Sequence, residues 1–238
     1  AWHTEVLYRR KMVLAMRKLL RERFPGTAIG GIDREGGPLD LLTGVYGAGP
    51  VAAIFGLPLV YTRNNWPNVA GRHLTPEEVR DLEPPDLDSN PFFQNLLRQL
   101  DEIEKLEGAI VGFINWQGVL NNAQRLRGQE LFMDLFTDPD ACHHLFDVIS
   151  DTMIDGVERL HARQRKSGVE YSFATVSNCL VNMISPEQYE EFLLPYDIKI
   201  SKAFDCIGVH NCAWSATPYL DAYNKIPDLA YIDMGMGS

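Results

Sequence analysis

The chain has few of the features that mark secreted, membrane-bound or disulfide-stapled proteins. Its 238 residues include only four cysteines, and these lie too far apart to predict a disulfide framework in a protein of this size. No apolar run reaches the ~18 residues of a membrane span, and the first residues lack the pattern of a signal peptide. We therefore expect reduced thiols, a cytoplasmic location and no membrane partner.

Basic clusters are also absent. Lysine and arginine together number 22, against 32 aspartate and glutamate residues, which gives a formal net charge of -10. Because nucleic-acid binding requires a concentrated positive surface, we exclude DNA and RNA as partners. The glycine-containing loop over residues 34–40 follows neither the G-x-G-x-x-G nor the phosphate-loop spacing, so the sequence predicts no nucleotide site.

Short apolar strands alternate with helical patterns along the chain. This alternation predicts an α/β fold with a parallel sheet covered by helices. A chain of this length, 45% hydrophobic, is most naturally a single domain over residues 1–238. The predicted strands are 27–32, 109–114, 169–174, 206–209 and 229–234. The predicted helices are 4–24, 121–136, 138–167, 185–204 and 214–224, with two more that begin at Thr75 and Asn90.

Polar residues collect where the predicted strands end. The carboxyl ends of parallel strands meet at one edge, and in an α/β barrel that edge carries the active site. We interpret four of these residues as candidate catalytic residues: Asp33, Asn115, Asn178 and Asp233. For Asp33 a purely structural role, as a cap of the amides of Gly36 and Gly37, is an equal alternative.

The stretch 206–214 carries the clearest chemical signal. Cys206 to Val209 has the pattern of a short buried strand, with His210 and Cys212 at or just past its end. Side chains two positions apart on a strand point the same way, so both can face one pocket. Imidazole and thiolate are ligands that zinc prefers, although a tetrahedral site needs more than two. The alternative is a hydrogen-bonded core histidine beside a small buried cysteine.

Several segments resemble sequences of the uroporphyrinogen decarboxylase (URO-D) superfamily. They are 184–196 (ISPEQYEEFLLPY), 208–212 (GVHNC), and a stretch that runs from Gly112 through 126–128 (LRG) to 135–139 (LFTDP). The resemblance spans about residues 108–238 and implies a (β/α)8 TIM barrel. Since the predicted strands number fewer than eight and the chain stops directly after one, we expect the barrel to be incomplete in this chain.

The methyltransferase branch of that superfamily fits the residues better than the decarboxylases do. His210 and Cys212 match its H-x-C metal motif, and the later cysteine that completes the motif would fall beyond Ser238. If the site closes within this chain, Cys179 is the substitute that we expect as the further ligand, with Glu170 as the alternative.

The resemblance implies a mechanism and its participants. A methyl group would move between a corrinoid (cobalamin) protein, or free methylcobalamin, and a small-molecule thiol or similar acceptor, with zinc activating the acceptor. Zinc lowers the pKa of a thiol, so that the thiol loses its proton near neutral pH. Asn115, Asn178 and Asp233 would then orient the metal ligands.

Two other functions remain open. A cofactor-free uroporphyrinogen decarboxylase, acting on tetrapyrrole acetate groups, would need basic side chains in the cavity, and Asp33 is the candidate for its essential aspartate. The available arginines are Arg34, Arg63, Arg72 and Arg125. A non-catalytic barrel that docks a corrinoid carrier is the third function, since this fold hosts many roles.

Overall fold

The computed structural model describes residues 1–31, 36–212 and 214–235. The helices are α1 (Val6–Arg23), α2 (Pro50–Ile54), α3 (Pro76–Arg80), α4 (Pro91–Glu107), α5 (Val119–Arg127), α6 (Leu131–Thr137), α7 (Pro139–Lys166), α8 (Pro186–Gln188), α9 (Leu194–Ser201) and α10 (Leu220–Tyr223). A π-helical turn, Tyr189–Leu193, joins α8 to α9. The strands are β1 (Leu59–Val60), β2 (Asn68–Val69), β3 (Phe173–Ser177), β4 (Cys206–Asn211) and β5 (Leu229–Met234).

A parallel sheet of β3, β4 and β5, in that order, positions the candidate site. Helices α8 and α9 connect β3 to β4, and α10 connects β4 to β5, which is the alternation that the sequence predicts. Ser177, His210 and Asp233 form one cross-strand row near the carboxyl ends of the strands. Because side chains alternate between faces, these three share one face of the sheet.

The opposite face of the sheet belongs to the core. Val176 of β3 and Val209 of β4 are fully buried there, and α9 packs against both strands. The long helix α7 packs in turn against α9, α5 and α6. The sheet is therefore covered by helices on this face, as expected for an α/β fold. No helix within the described ranges combines the length and apolarity that crossing a membrane requires.

The strand predicted over 27–32 is wrong for residues 27–31, which form turns. The Thr27 hydroxyl donates to the Phe24 carbonyl (2.8 Å) and accepts from the Gly30 amide (3.2 Å). These local bonds occupy backbone groups that a strand would offer to a neighbour. Ile32, the last residue of the predicted strand, and Asp33 lie outside the described residues.

The strand predicted over 109–114 is also wrong. Its buried backbone finds side-chain partners instead of a neighbouring strand: Gln164 donates to the carbonyls of Ile110 and Gly112, and Tyr171 accepts from the Gly112 amide. Gly112 has a φ of 101°, outside the strand region. The apolar character of the segment reflects burial against α7 rather than sheet pairing. The eight strands of a barrel are consequently not seen within the described residues.

Most predicted helices form where their capping signals place them. The side chains of Asn90 and Asp138 each accept a backbone amide bond in the first turn of α4 and α7, and Thr75 forms a capping box at the start of α3. These interactions stabilise the otherwise unpaired amides of a helix start. The helix predicted over 214–224, which lacks such a cap, is shortened to α10 after a 3-10 turn.

The observed bounds of one helix and one strand differ from the predicted bounds because of local backbone conformation or hydrogen bonding. The helix predicted over 121–136 is divided into α5 and α6 at Gly128, whose φ of 77° lies in the left-handed region. The strand predicted over 169–174 begins late, because the Val169 amide still donates to the Gln164 carbonyl (2.9 Å) at the end of α7. The strand β5 has the predicted bounds, and β4 continues two residues beyond its predicted end.

Candidate metal site and adjoining cavity

Three side chains of metal-ligand type meet at the carboxyl ends of β3 and β4. A sulfur from each of Cys179 and Cys212 and a ring nitrogen of His210 all lie within 4.8 Å of one another. The two sulfurs are 3.2 Å apart, with the Cys212 thiol donating to Cys179. Ser177 pairs with His210 in the sheet, so the residues that follow the two strands are neighbours. The structure thus brings together the three residues predicted as metal ligands.

The donor set fits zinc. Zinc binds thiolate sulfur at about 2.3 Å and imidazole nitrogen at about 2.0 Å, usually in a tetrahedron. Ligand atoms in such a site are about 3.3–3.8 Å apart, and a cluster within 4.8 Å reaches that spacing with small movements. Three protein ligands leave a fourth position open, as in catalytic zinc sites. Glu170, the alternative ligand, is exposed near the amino end of β3 and does not join the cluster.

Asp233 is placed to orient His210. The two residues pair across β4 and β5, and the imidazole Nδ1 donates to the Asp233 carboxylate at 2.8 Å. A carboxylate accepts such a bond, and an imidazole that donates through Nδ1 keeps Nε2 available for a metal. Asp233 thus contacts His210 and is not itself one of the three clustered groups.

Asn178 fixes the end of β3 rather than reaching the sulfurs. Its amide donates to the His210 carbonyl at 2.7 Å, and its side chain donates to the buried carboxylate of Asp197 at 2.9 Å. Asp197 also accepts a bond of 2.5 Å from the Tyr189 hydroxyl. These bonds attach the backbone just before Cys179 to both β4 and the core.

Burial raises the pKa of Asp197 to about 6, and the hydrogen bonds from Tyr189 and Asn178 limit that rise. Sequence reasoning missed this carboxylate. A signal was present, because Asp197 directly follows the family-like segment 184–196 and lies among apolar residues of one helix. The buried face of α9 could be assigned only once the helix was packed.

Asn115 lines the same region without touching the ligands. Its side-chain oxygen accepts bonds from the amide (3.0 Å) and the side chain (3.3 Å) of Gln117. Gln117 has a φ of 60°, so this interaction holds a tight turn beside the cavity. Asp33, the remaining candidate catalytic residue, lies outside the described residues.

The environment of Cys179 favours the neutral thiol. Burial raises its pKa to about 11, and the adjacent Cys212 adds to the rise, while a hydrogen bond with Asn121 opposes it. A thiol with this pKa stays protonated near neutral pH. A bound metal ion would overcome this preference, since coordinating thiols are deprotonated outright.

A cavity of about 300 Å³ adjoins His210 and Asp233. Segment 113–116 forms one wall. The other wall is the open face of the sheet, formed by Phe173, Thr175, Ser177, His210, Tyr231 and Asp233. A larger groove of about 490 Å³ lies between α7 and Phe204. That groove contains none of the three candidate ligands, so the smaller cavity is the candidate substrate site.

Comparison with known proteins adds to this geometry. The family model described as uroporphyrinogen decarboxylase (URO-D) matches residues 36–233, which extends the likeness well upstream of the recognised motifs. A solved methyltransferase from Methanosarcina mazei has a similar fold, with a TM-score of 0.68 at 18% sequence identity. The similarity covers 94% of this chain and 61% of that one, so this chain spans about three fifths of that structure. Curated protein sequences gave no match.

Proposed function

We propose that this chain, which belongs to the uroporphyrinogen decarboxylase family, is a methyltransferase that moves a methyl group between a corrinoid and a thiol or similar acceptor. The observation that carries the proposal is the cluster of Cys179, His210 and Cys212 beside a cavity that His210 also lines. The donor set suits zinc, and the cavity is of a size that holds a small acceptor.

The residues at the site would have different roles in the reaction. Cys179, His210 and Cys212 would hold zinc, which would supply Lewis acidity that lowers the pKa of the acceptor thiol. Asp233 would keep the imidazole in the tautomer that binds through Nε2. Asn178 would keep the ends of β3 and β4 in register, so that the two thiols stay on the same side of the sheet edge.

With the corrinoid as the methyl donor, the bonds and electrons of the proposed transfer are balanced. The carbon–cobalt bond of the methyl donor breaks, a carbon–sulfur bond forms on the acceptor, and cobalt keeps the electron pair of the broken bond. The acceptor thiol loses its proton to solvent. The cavity would exclude water from the acceptor and orient its sulfur toward the cluster.

Other features of the protein are proposed on the same family basis. The sheet of β3, β4 and β5 would form part of a (β/α)8 barrel, with residues 1–238 in a single domain. Asp33, Asn115, Asn178 and Asp233 would all lie at its active-site edge. The methyl donor would be a corrinoid protein or free methylcobalamin, and the reaction would take place in the cytoplasm.

The decarboxylase alternative finds less support. Arg63 and Arg72 are exposed, Arg125 lines a different cavity, and Arg34 lies outside the described residues. Among the lining residues that the structure describes, the cavity beside His210 contains neither lysine nor arginine. Among the described lining residues, a polyanionic tetrapyrrole would therefore find none of the cationic partners that it requires.

Methyl transfer can be tested directly on the purified protein loaded with zinc. Methylcobalamin and 2-mercaptoethanol are supplied, the corrinoid is followed by its absorbance, and the methyl thioether is identified by mass spectrometry. We expect turnover that is lost in Cys212→Ser and retained in Cys206→Ser, whose sulfur lies outside the cluster. Equal turnover with Cys212→Ser would refute the assignment. Corrinoid-protein binding without turnover would favour the non-catalytic docking role instead.

A further inference from the structure

The cavity beside the metal cluster is aromatic and acidic. Four of its lining side chains are aromatic, namely Phe113, Trp116, Phe173 and Tyr231. Asp233 provides a carboxylate, and no described lining residue is a lysine or an arginine. Aromatic faces combined with a carboxylate form the kind of site that recognises organic cations.

The side chain of Tyr231 extends across the sheet. Thr175, Gly208 and Tyr231 form one cross-strand row, and the Tyr231 and Thr175 hydroxyls are 3.1 Å apart. The Tyr231 side chain therefore reaches from β5 over β4 to β3. A Cβ atom at position 208 would overlap this ring, so only glycine leaves it room. The ring therefore lies against the backbone of β4 at Gly208, and Tyr231 also lines the cavity.

The facing wall is held rigidly. Trp116 is only 5% exposed and packs against Gly156 of α7, where an added Cβ would overlap the indole. Phe113 is half-exposed, and its amide donates to the Thr43 hydroxyl at 3.2 Å. A buried indole and a half-exposed phenyl ring thus line the same cavity as the tyrosine. Such preorganisation lowers the entropy cost of binding a small ligand.

We propose that this cavity binds a methylated or quaternary ammonium group, and that the acceptor of the methyl transfer carries such a group. The second half of this proposal rests on the proposed function, whereas the first half does not. An anionic acceptor would approach the Asp233 carboxylate, and the described lining contains no lysine or arginine to offset the repulsion. The volume of about 300 Å³ lies at the small end of ligand sites and suits an ammonium group with a short chain.

Binding is tested with choline and its uncharged isostere 3,3-dimethyl-1-butanol, on the purified protein, by calorimetry and by tryptophan fluorescence. Neither probe has a thiol, and no methyl donor is present, so the outcome does not depend on methyl transfer. We expect choline to bind at least about tenfold more tightly than the isostere, as cation–π attraction in a partly enclosed site predicts. Equal affinity of the two probes, or no binding of choline at millimolar concentration, would overturn the proposal.

Two substitutions of Tyr231 distinguish the contribution of its aromatic face to choline affinity from the contribution of its volume. Tyr231→Leu fills space without an aromatic face, and we expect choline affinity to fall about fivefold or more. Tyr231→Phe keeps the face and loses only the hydroxyl contact with Thr175, so its affinity should stay within about twofold of the wild type. Equal losses in the two variants would contradict the role of the ring.

An acceptor series then tests the link to catalysis. Thiocholine, 2-mercaptoethanol and 2-mercaptoethanesulfonate share an ethyl spacer and differ in the charge of the group that follows it. With methylcobalamin as donor, we expect kcat/KM to fall in that order. A preference for the sulfonate would refute the cationic acceptor while leaving methyl transfer intact. If none of the thiols reacts, the proposed function fails, and choline binding still decides whether the cavity accepts cations.

Discussion

His210 and Asp233 face each other across β4 and β5, and a hydrogen bond of 2.8 Å joins the imidazole Nδ1 to the carboxylate. This bond determines which ring nitrogen is left for a metal. It also fixes the orientation of the ring over the open face of the sheet. The quality of the proposed zinc site therefore depends on a residue that does not itself belong to the cluster.

Removal of that carboxylate should weaken the metal site without unfolding the protein. For Asp233→Ala we expect zinc affinity to fall about 10- to 100-fold, because an unsupported imidazole binds metal less well. Asp233→Asn, which still offers an oxygen acceptor, should lose less. Competition with a calibrated chelator measures both effects. Asp205→Ala, at the opposite end of β4, is the matched control and should match the wild type. Unchanged affinity in Asp233→Ala would show that the bond does not support a metal ligand.

The two thiols of the cluster should also report on metal binding. Their sulfurs are 3.2 Å apart, so in the zinc-free protein oxidised glutathione should convert them to a disulfide. Two hydrogens leave Cys179 and Cys212, two molecules of reduced glutathione form, and the protein mass falls by about 2 Da. Bound zinc should block the reaction, because both sulfurs are then coordinated. Peptide mapping locates the bond; equal oxidation with and without zinc would contradict coordination by these thiols.

The buried carboxylate of Asp197 should make stability depend on pH. Its pKa is raised from 3.8 to about 6 by burial, so between these values the folded chain holds more protons than the unfolded chain. The contribution of this residue to the free energy of unfolding therefore falls as pH rises from about 4 to about 6, and is constant above that range. The total loss is about 3 kcal/mol.

The variant Asp197→Asn isolates this effect, because it keeps an acceptor for Asn178 but does not titrate. Urea unfolding of variant and wild type is compared from about pH 4 to about pH 7. We expect the stability of the variant relative to the wild type to increase across that window and then to level off. A difference that does not change with pH would show that Asp197 ionises normally in the folded protein.

The sequence was sufficient to name the three candidate ligands but not which residue contacts them. The spacing of His210 and Cys212 matches the H-x-C motif, and Cys179 was the expected substitute, with Glu170 as the alternative, for a site that closes within this chain. The bond from His210 to Asp233 joins residues 23 positions apart, and it depends on the register between β4 and β5. Register is set by packing of the whole sheet, so a single sequence cannot supply it.

The strand predicted over 109–114 was wrong because the apolar character of this segment comes from burial against a helix rather than from sheet pairing. Residues 109–114 are apolar because they pack beneath α7, and Gln164 binds two of their carbonyls. Periodicity alone does not separate such a buried segment from a buried strand. Capping residues such as Asn90 and Asp138 located helix starts well, since their side chains act on neighbouring amides and need no distant partner.

Metal content tests the central claim most directly. The wild type and three variants, Cys212→Ser, Cys179→Ser and Cys206→Ser, are purified without chelator and analysed for zinc. We expect about one zinc per chain in the wild type and in Cys206→Ser, and loss of zinc in the two cluster variants. Absence of zinc from the wild type even after zinc is added back, or full retention by Cys212→Ser, would contradict it.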